Sequence, residues 1–155
     1  MIKSLGFMLL GAVLMGLLMF TMAPKLMVHQ LKSPYNVDET VKKISENAKK
    51  QGWTVKKVSD MQKTMKKKLG KDILPTKVMK LGQAKYAHAL ISRDDTHFVA
   101  AMMPHSIAVY ENSDGITYVS SMNMALMGKI FGGETERIMT KVQDDDDIIL
   151  DFLAH

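Results

Sequence analysis

The sequence predicts an α+β domain, a mainly antiparallel sheet with helices packed on it, preceded by one N-terminal transmembrane helix. Three observations carry this expectation. Residues 5–22 form an uncharged apolar run. Stretches with apolar residues at helical spacing alternate with short stretches of period two. Two alternating runs also flank Ser113-Asp114-Gly115, the pattern of a β-hairpin. Helices alternating with strands and closed by a hairpin favour helices layered on one sheet.

The apolar run sets the domain organisation. Its 18 residues span roughly 27 Å as a helix, close to the hydrocarbon thickness of a bilayer. Residues 1–24 are therefore read as an anchor and residues 25–155 as a single domain. A cleaved signal peptide is the alternative, since Lys3 supplies a minimal positive start and Ala23 a small-residue cleavage site. The run exceeds the roughly 7–15 apolar residues of a signal core, and Pro24 would follow the cut directly. The retained anchor is preferred. Gly11 and Gly16 are five apart, so no G-x-x-x-G seam is present. Lys3 against Lys25 and Lys32 nearly balances the positive-inside count. A short tail without a large basic flank places the domain on the periplasmic side of a single-pass membrane protein.

Composition narrows the chemistry. The net charge is +5 and is carried by Lys, with Arg only at positions 93 and 137. A Lys excess suits anionic lipid headgroups. Nucleic-acid readers rely on Arg forks and stacking aromatics, and aromatics are only 6% of this chain. No nucleic-acid partner is expected. The chain has no Cys, which excludes disulfides, thiolate metal sites, C-x-x-C-H haem attachment and a cysteine nucleophile.

Along the domain, residues 27–31 read as a short strand ending at Ser33-Pro34. Asn36 with Glu39 forms a capping box, and Val37, Val41, Ile44 and Ala48 follow at helical spacing. Gly52 stops this helix, and Trp53 and Val55 begin an alternating strand. Met61, Met65 and Leu69 mark a short basic helix ending near Gly70. Pro75 opens an extended stretch over residues 76–81. From Gln83, Ala84, Ala87, His88 and Ile91 share one helical face, and residues 98–103 are expected to be extended. The hairpin register opposes Tyr110 with Tyr118 and Val109 with Val119. Residues 123–153 read as helical, with a break near Gly132-Gly133. Asp144, Asp145, Asp146 and Asp147 are expected to cap a last helix over residues 148–153, where negative charge meets the positive helix end.

Four runs then show a family likeness. S-P-Y-N-V-D-E-T-V (33–41), L-G-Q-A-K-Y-A (81–87), M-M-P-H-S-I-A-V-Y-E-N-S-D-G (102–115) and V-S-S-M-N (119–123) resemble the family called domain of unknown function 302. The likeness covers about residues 28–153 and is greatest to membrane-anchored bacterial members. It implies a compact α+β fold, dimeric association and no established reaction. Many members carry Cys where this chain has Gly82 and His105, so a thiol or thiolate-metal role does not transfer.

His105 is the leading candidate site residue. The hairpin register puts it on the face of Ile107, Val109, Val119 and Ser121, with Asn123 opposite. Imidazole with thioether ligands suits Cu(I) or haem iron, and His88 and Met103 are the candidate co-ligands. Against this stands ordinary packing among adaptable Met side chains. Six of the 15 Met (1, 8, 15, 19, 22 and 27) lie in or beside the anchor. Lys63, Lys66, Lys67, Lys68 and Lys71 form a basic patch suited to anionic lipid or an acidic partner. No G-x-S-x-G or H-E-x-x-H motif is present.

The sequence thus favours a membrane-tethered, non-catalytic accessory or binding module of a membrane assembly, engaging the bilayer and a protein partner or second copy, without a cofactor. The alternative is a haem or copper redox protein using His105 with His88 or Met103. A small hydrolase or isomerase built on His105, Ser121 and Asn123 ranks third. Because a spanning helix is held by apolar transfer, high-salt or carbonate washing is expected to leave the protein in the membrane pellet; attraction through Lys alone is screened at high ionic strength. Recovery of a native soluble chain beginning at Pro24 or Lys25 would instead identify a cleaved signal.

Overall fold

Short local signals build most of the observed elements. The computed structural model describes residues 11, 13–17, 21 and 25–153. The anchor expectation falls for the most part outside them, and among the described residues no helix is long and apolar enough to cross a membrane. From Val28 the order is β1 (Val28–Ser33), α1 (Val37–Lys50), β2 (Thr54–Asp60), α2 (Met61–Leu69), β3 (Thr76–Gly82) and α3 (Ala84–Ile91). A 3-10 turn (His97–Met102) leads to β4 (His105–Glu111), β5 (Thr117–Met122), α4 (Met124–Phe131), α5 (Gly133–Ile149) and a last 3-10 turn (Asp151–Leu153). All neighbouring strands are antiparallel, in the order β1-β5-β4-β3-β2. The expected α+β class and mainly antiparallel sheet are what the structure shows.

Caps explain where the helices start. The Asn36 side chain accepts from the Glu39 amide at 2.9 Å, and Val37, Val41, Ile44 and Ala48 form the buried stripe of α1. Asp60 accepts from the Lys63 amide at 2.9 Å and starts α2. That bond is the main reason its carboxyl sits below the usual range. The hairpin has the expected register, with Gly115 at φ 73° in its loop. The rings of Tyr110 and Tyr118 stack at 5.9 Å on the open face of the sheet. On the other face, Met79, Leu81, Ile107, Val109 and Val119 join α1 and α5 in one core. One covered and one solvated face is the usual condition of such a sheet.

Strand direction separates two ends of the molecule. The pairings place Val28, Thr54, Gly82, His105 and Met122 at one end. Ser33, Asp60, Thr76, Glu111 and Thr117 lie at the other. The chain arrives at the first end, where Asn123 donates to the Leu26 carbonyl at 3.0 Å through its side chain and to the Met27 carbonyl at 2.8 Å through its amide.

Three local expectations are corrected. Residues 98–103 are not extended but wind into the 3-10 turn, because Val99 is drawn into the core while Phe98 stays exposed, and Thr96 ties the turn to the Leu90 carbonyl at 2.6 Å. The inward face of α3 is carried by Tyr86, Ala87 and Leu90, leaving His88, Ala84 and Ile91 exposed. The larger side chains four apart win the burial. The run 144–147 does not cap a last helix. It forms the last turns of α5, which continues without interruption to Ile149.

The predicted break at Gly132-Gly133 is present, with φ of 69° and 57° at the two glycines. It folds α4 back onto α5, and Gly128 is the point of closest approach. A Cβ there would lie 3.0 Å from the Met139 Cβ and 3.1 Å from the Glu136 Cα. The backbone cannot yield as a flexible side chain could. Gly128→Val is therefore expected to destabilise the fold by about 1–3 kcal/mol through overpacking, exceeding the few tenths that helix propensity returns. Urea unfolding checks this, and an unchanged midpoint would show that the two helices are not held at this distance.

Candidate functional site

The end of the sheet at which β4 begins carries a buried polar cluster. His105 is the first residue of β4 and pairs with Leu81 of β3. Alternation along the strand turns it to the same face as Ile107 and Val109. Its Nε2 lies 2.7 Å from Asp146 Oδ2, and the two side chains are only 7% and 2% exposed. Asp146 stands on the buried stripe of α5 with Met139, Val142 and Ile149. A carboxylate at such a position needs a donor, and the imidazole supplies it. Its other oxygen, Oδ1, is buried with no hydrogen-bond partner among the described residues.

Asp145 serves the neighbouring aromatic residues. Its Oδ2 accepts from Trp53 Nε1 at 2.9 Å and from the Tyr86 hydroxyl at 3.0 Å. The Trp53 ring lies 5.9 Å from Tyr86 and 6.0 Å from His105, both tilted. Burial, followed by the bond to Asp145, pushes the Tyr86 hydroxyl up to about 12. Its neutral form is the one the fold retains. Consecutive residues on a helix diverge by about 100°, so Asp145 and Asp146 reach different partners from one turn.

Trp53, Tyr86 and His105 border a cavity of about 190 Å³. Leu81, Leu90, Val99 and Met139 form its buried part, while Lys56, Gln83 and Pro104 lie toward solvent. Met102, Met103 and Met124 complete an almost wholly apolar wall. Gly82 also belongs to the lining, and a Cβ there would lie 3.0 Å from Lys56 Cε. With Nε2 engaged by Asp146, His105 Nδ1 has no hydrogen-bond partner among the described residues.

The expected site residues separate in the fold. His105 and Met103 line the cavity together. His88 is exposed and outside the lining, so the structure does not bring it to His105. Ser121 is buried opposite Ile107 and outside the lining. Asn123 caps α4, its side chain accepting from the Leu126 amide at 2.9 Å. No Ser or Thr stands among the lining residues, and the Tyr86 hydroxyl is committed to Asp145. Ser121 therefore does not share the pocket with His105. Among the described residues, no group of three His, Cys, Asp or Glu could hold a metal ion. Lys63, Lys66, Lys67, Lys68 and Lys71 are exposed around α2, which starts at the far end of the sheet. Lys63 pairs with Asp60 at 3.4 Å and Lys66 with Asp72 at 2.6 Å.

Sequence reasoning missed Asp145, Asp146, Trp53 and Tyr86. The available signal was Asp146 itself, a carboxylate in phase with Met139, Val142 and Ile149.

Fold and site together define a two-layer α+β domain with a small apolar pocket at one end of its sheet. The chain belongs to the family described as Domain of unknown function DUF302, whose model matches residues 29–153. It is similar to the crystal structure of an uncharacterized conserved protein DUF302 from Bacillus stearothermophilus. That likeness has a TM-score of 0.72 at 17% identity and covers 82% of this chain and 98% of that one. No curated protein matches the chain in sequence.

The Tyr86 contact has a pH signature. An unfolded Tyr ionises near pH 10, whereas folded Tyr86 keeps its proton to about 12. Its contribution is complete below the first value and is lost as pH rises through the second, because the unfolded chain then binds fewer protons. Tyr86→Phe is expected to make the fall in urea midpoint across this window shallower. An identical slope in the variant would show that the fold does not hold this proton.

Proposed function

We propose that this chain is a membrane-tethered, non-catalytic binding module whose ligand is a small, mainly apolar molecule with one hydrogen-bonding group. The observation that carries the reading is the largely apolar pocket bordered by His105, which Asp146 orients from behind. Binding sites commonly combine apolar walls with a few placed polar groups. The cavity of about 190 Å³ is of the order of the roughly 150 Å³ cavity that accepts benzene. This favours a single ring or short chain over a haem macrocycle. The tether is residues 5–22, and the Lys patch around α2 is the surface offered to an acidic partner in the assembly.

Trp53 is the sole Trp of the chain and lines the pocket, so its emission reports occupancy. In full-length protein held in detergent, 2-bromophenol is expected to quench Trp53 saturably, with bromobenzene binding more weakly. His105→Leu is expected to reduce the preference for the phenol by roughly tenfold, the worth of one hydrogen bond. Linear, unsaturable quenching by both compounds would overturn the reading.

A second reading, Cu(I) binding, is favoured by one observation. Met102, Met103, Met124 and Met139 line the same pocket as His105, and an imidazole backed by a carboxylate is a good metal ligand. Titration of Cu(I) against a competing chelator separates the two readings. Stoichiometric uptake lost in His105→Leu supports copper.

A further inference from the structure

We infer that the pocket takes its ligand from the bilayer, as a membrane-dissolved amphiphile whose ring or short polar head enters toward His105 while its tail stays in the lipid. The inference rests on the binding reading above and adds the source and shape of the ligand. Antiparallel pairing puts Val28, where the chain enters the sheet, at the same end as Thr54, Gly82 and His105. The uncharged run stops at Met22, six residues before Val28. Leu26 and Met27 are fastened to Asn123 at the base of α4, so the chain joins the domain at a fixed point. A run that spans the membrane therefore turns this end of the sheet toward it.

The surface at that end suits the position. Leu26, Val28 and Met122 are 53%, 48% and 41% exposed, apolar groups that a lipid interface would cover. Lys56 lies at the solvent side of the pocket with its stem across Gly82. Such a Lys can keep its stem against apolar surface and reach a phosphate with its ammonium. The basic run around α2, by contrast, starts from the opposite end.

The ligand's head follows from His105. With Nε2 bound to Asp146, Nδ1 is the nitrogen left for a ligand. A hydroxyl both donates and accepts, so it matches either protonation state of the ring. The class is a lipid-soluble phenol or alcohol.

The test uses the full chain in phosphatidylcholine vesicles containing 2-bromo-4-dodecylphenol, which is confined to the bilayer. Most of the Trp53 emission should be lost, saturating with the mole fraction of the probe, and Ala87→Phe, which fills the pocket, should abolish the loss. If soluble 2-bromophenol quenches Trp53 saturably in detergent but the vesicle-held analogue does not, the pocket binds ligands without opening to the membrane. The inference then fails while the binding reading stands. Equal quenching in Ala87→Phe would show contact outside the pocket and would also overturn it. If neither probe binds saturably, both readings fall.

Discussion

Two adjacent carboxylates in the last turns of α5 hold the pocket end of this molecule together. Carboxylates near a helix C-terminus oppose the helix dipole, and Asp146 is in addition almost completely buried. Their position is tolerable because donors arrive from three other parts of the chain. Trp53 comes from the approach to β2, Tyr86 from α3 and His105 from the start of β4. Asn47 of α1 adds a bond to the Ile149 carbonyl at 3.1 Å. Removing His105 would leave the Asp146 carboxylate buried and unpaired, which costs more than the bond itself contributed. The donors Trp53, Tyr86 and His105 also line the pocket, so stability and pocket geometry share one set of residues.

Much of the fold was legible because its signals are local. The Asn36 cap, the stripe of α1, the hairpin register around Gly115 and the break at Gly132-Gly133 each involve residues a few positions apart. The failures share a different origin. Charge preference alone puts the run 144–147 at a helix start, whereas its partners lie between 41 and 92 residues away and hold it at a helix end. His88 was placed inward because α3 has apolar residues on more than one side, and Tyr86 and Leu90 won the burial. The turn at residues 97–102 departs from the expected strand because Val99 packs into the core while its neighbour Phe98 does not. Position 105 was found; its Asp partner was not.

The richness in Met takes on a specific meaning in the pocket. Met102, Met103, Met124 and Met139 supply unbranched, polarizable walls that adjust to an occupant. Stiff β-branched walls would select one shape, whereas thioethers accommodate a class of shapes at small cost. Gly82 contributes in the opposite way, by leaving room that the Lys56 stem crosses. The pocket is thus lined by adaptable walls, with His105 fixed among them by Asp146.

That fixed point determines what kind of chemistry the site supports. A carboxylate on one ring nitrogen holds a histidine in a single orientation, an arrangement that metal, recognition and general-base sites all use. Here the carboxylate behind His105 holds the ring, and no Ser or Thr hydroxyl faces it from the pocket lining. Under the proposed binding reading, the other ring nitrogen would be the hydrogen-bonding point for whatever enters the apolar slot. In a low-dielectric wall that single hydrogen bond discriminates more strongly than it would in water, because a ligand lacking the matching group leaves the imidazole unpaired. In the proposed binding site, the buried His105–Asp146 pair would therefore supply selectivity between molecules of the same shape, and the apolar walls affinity.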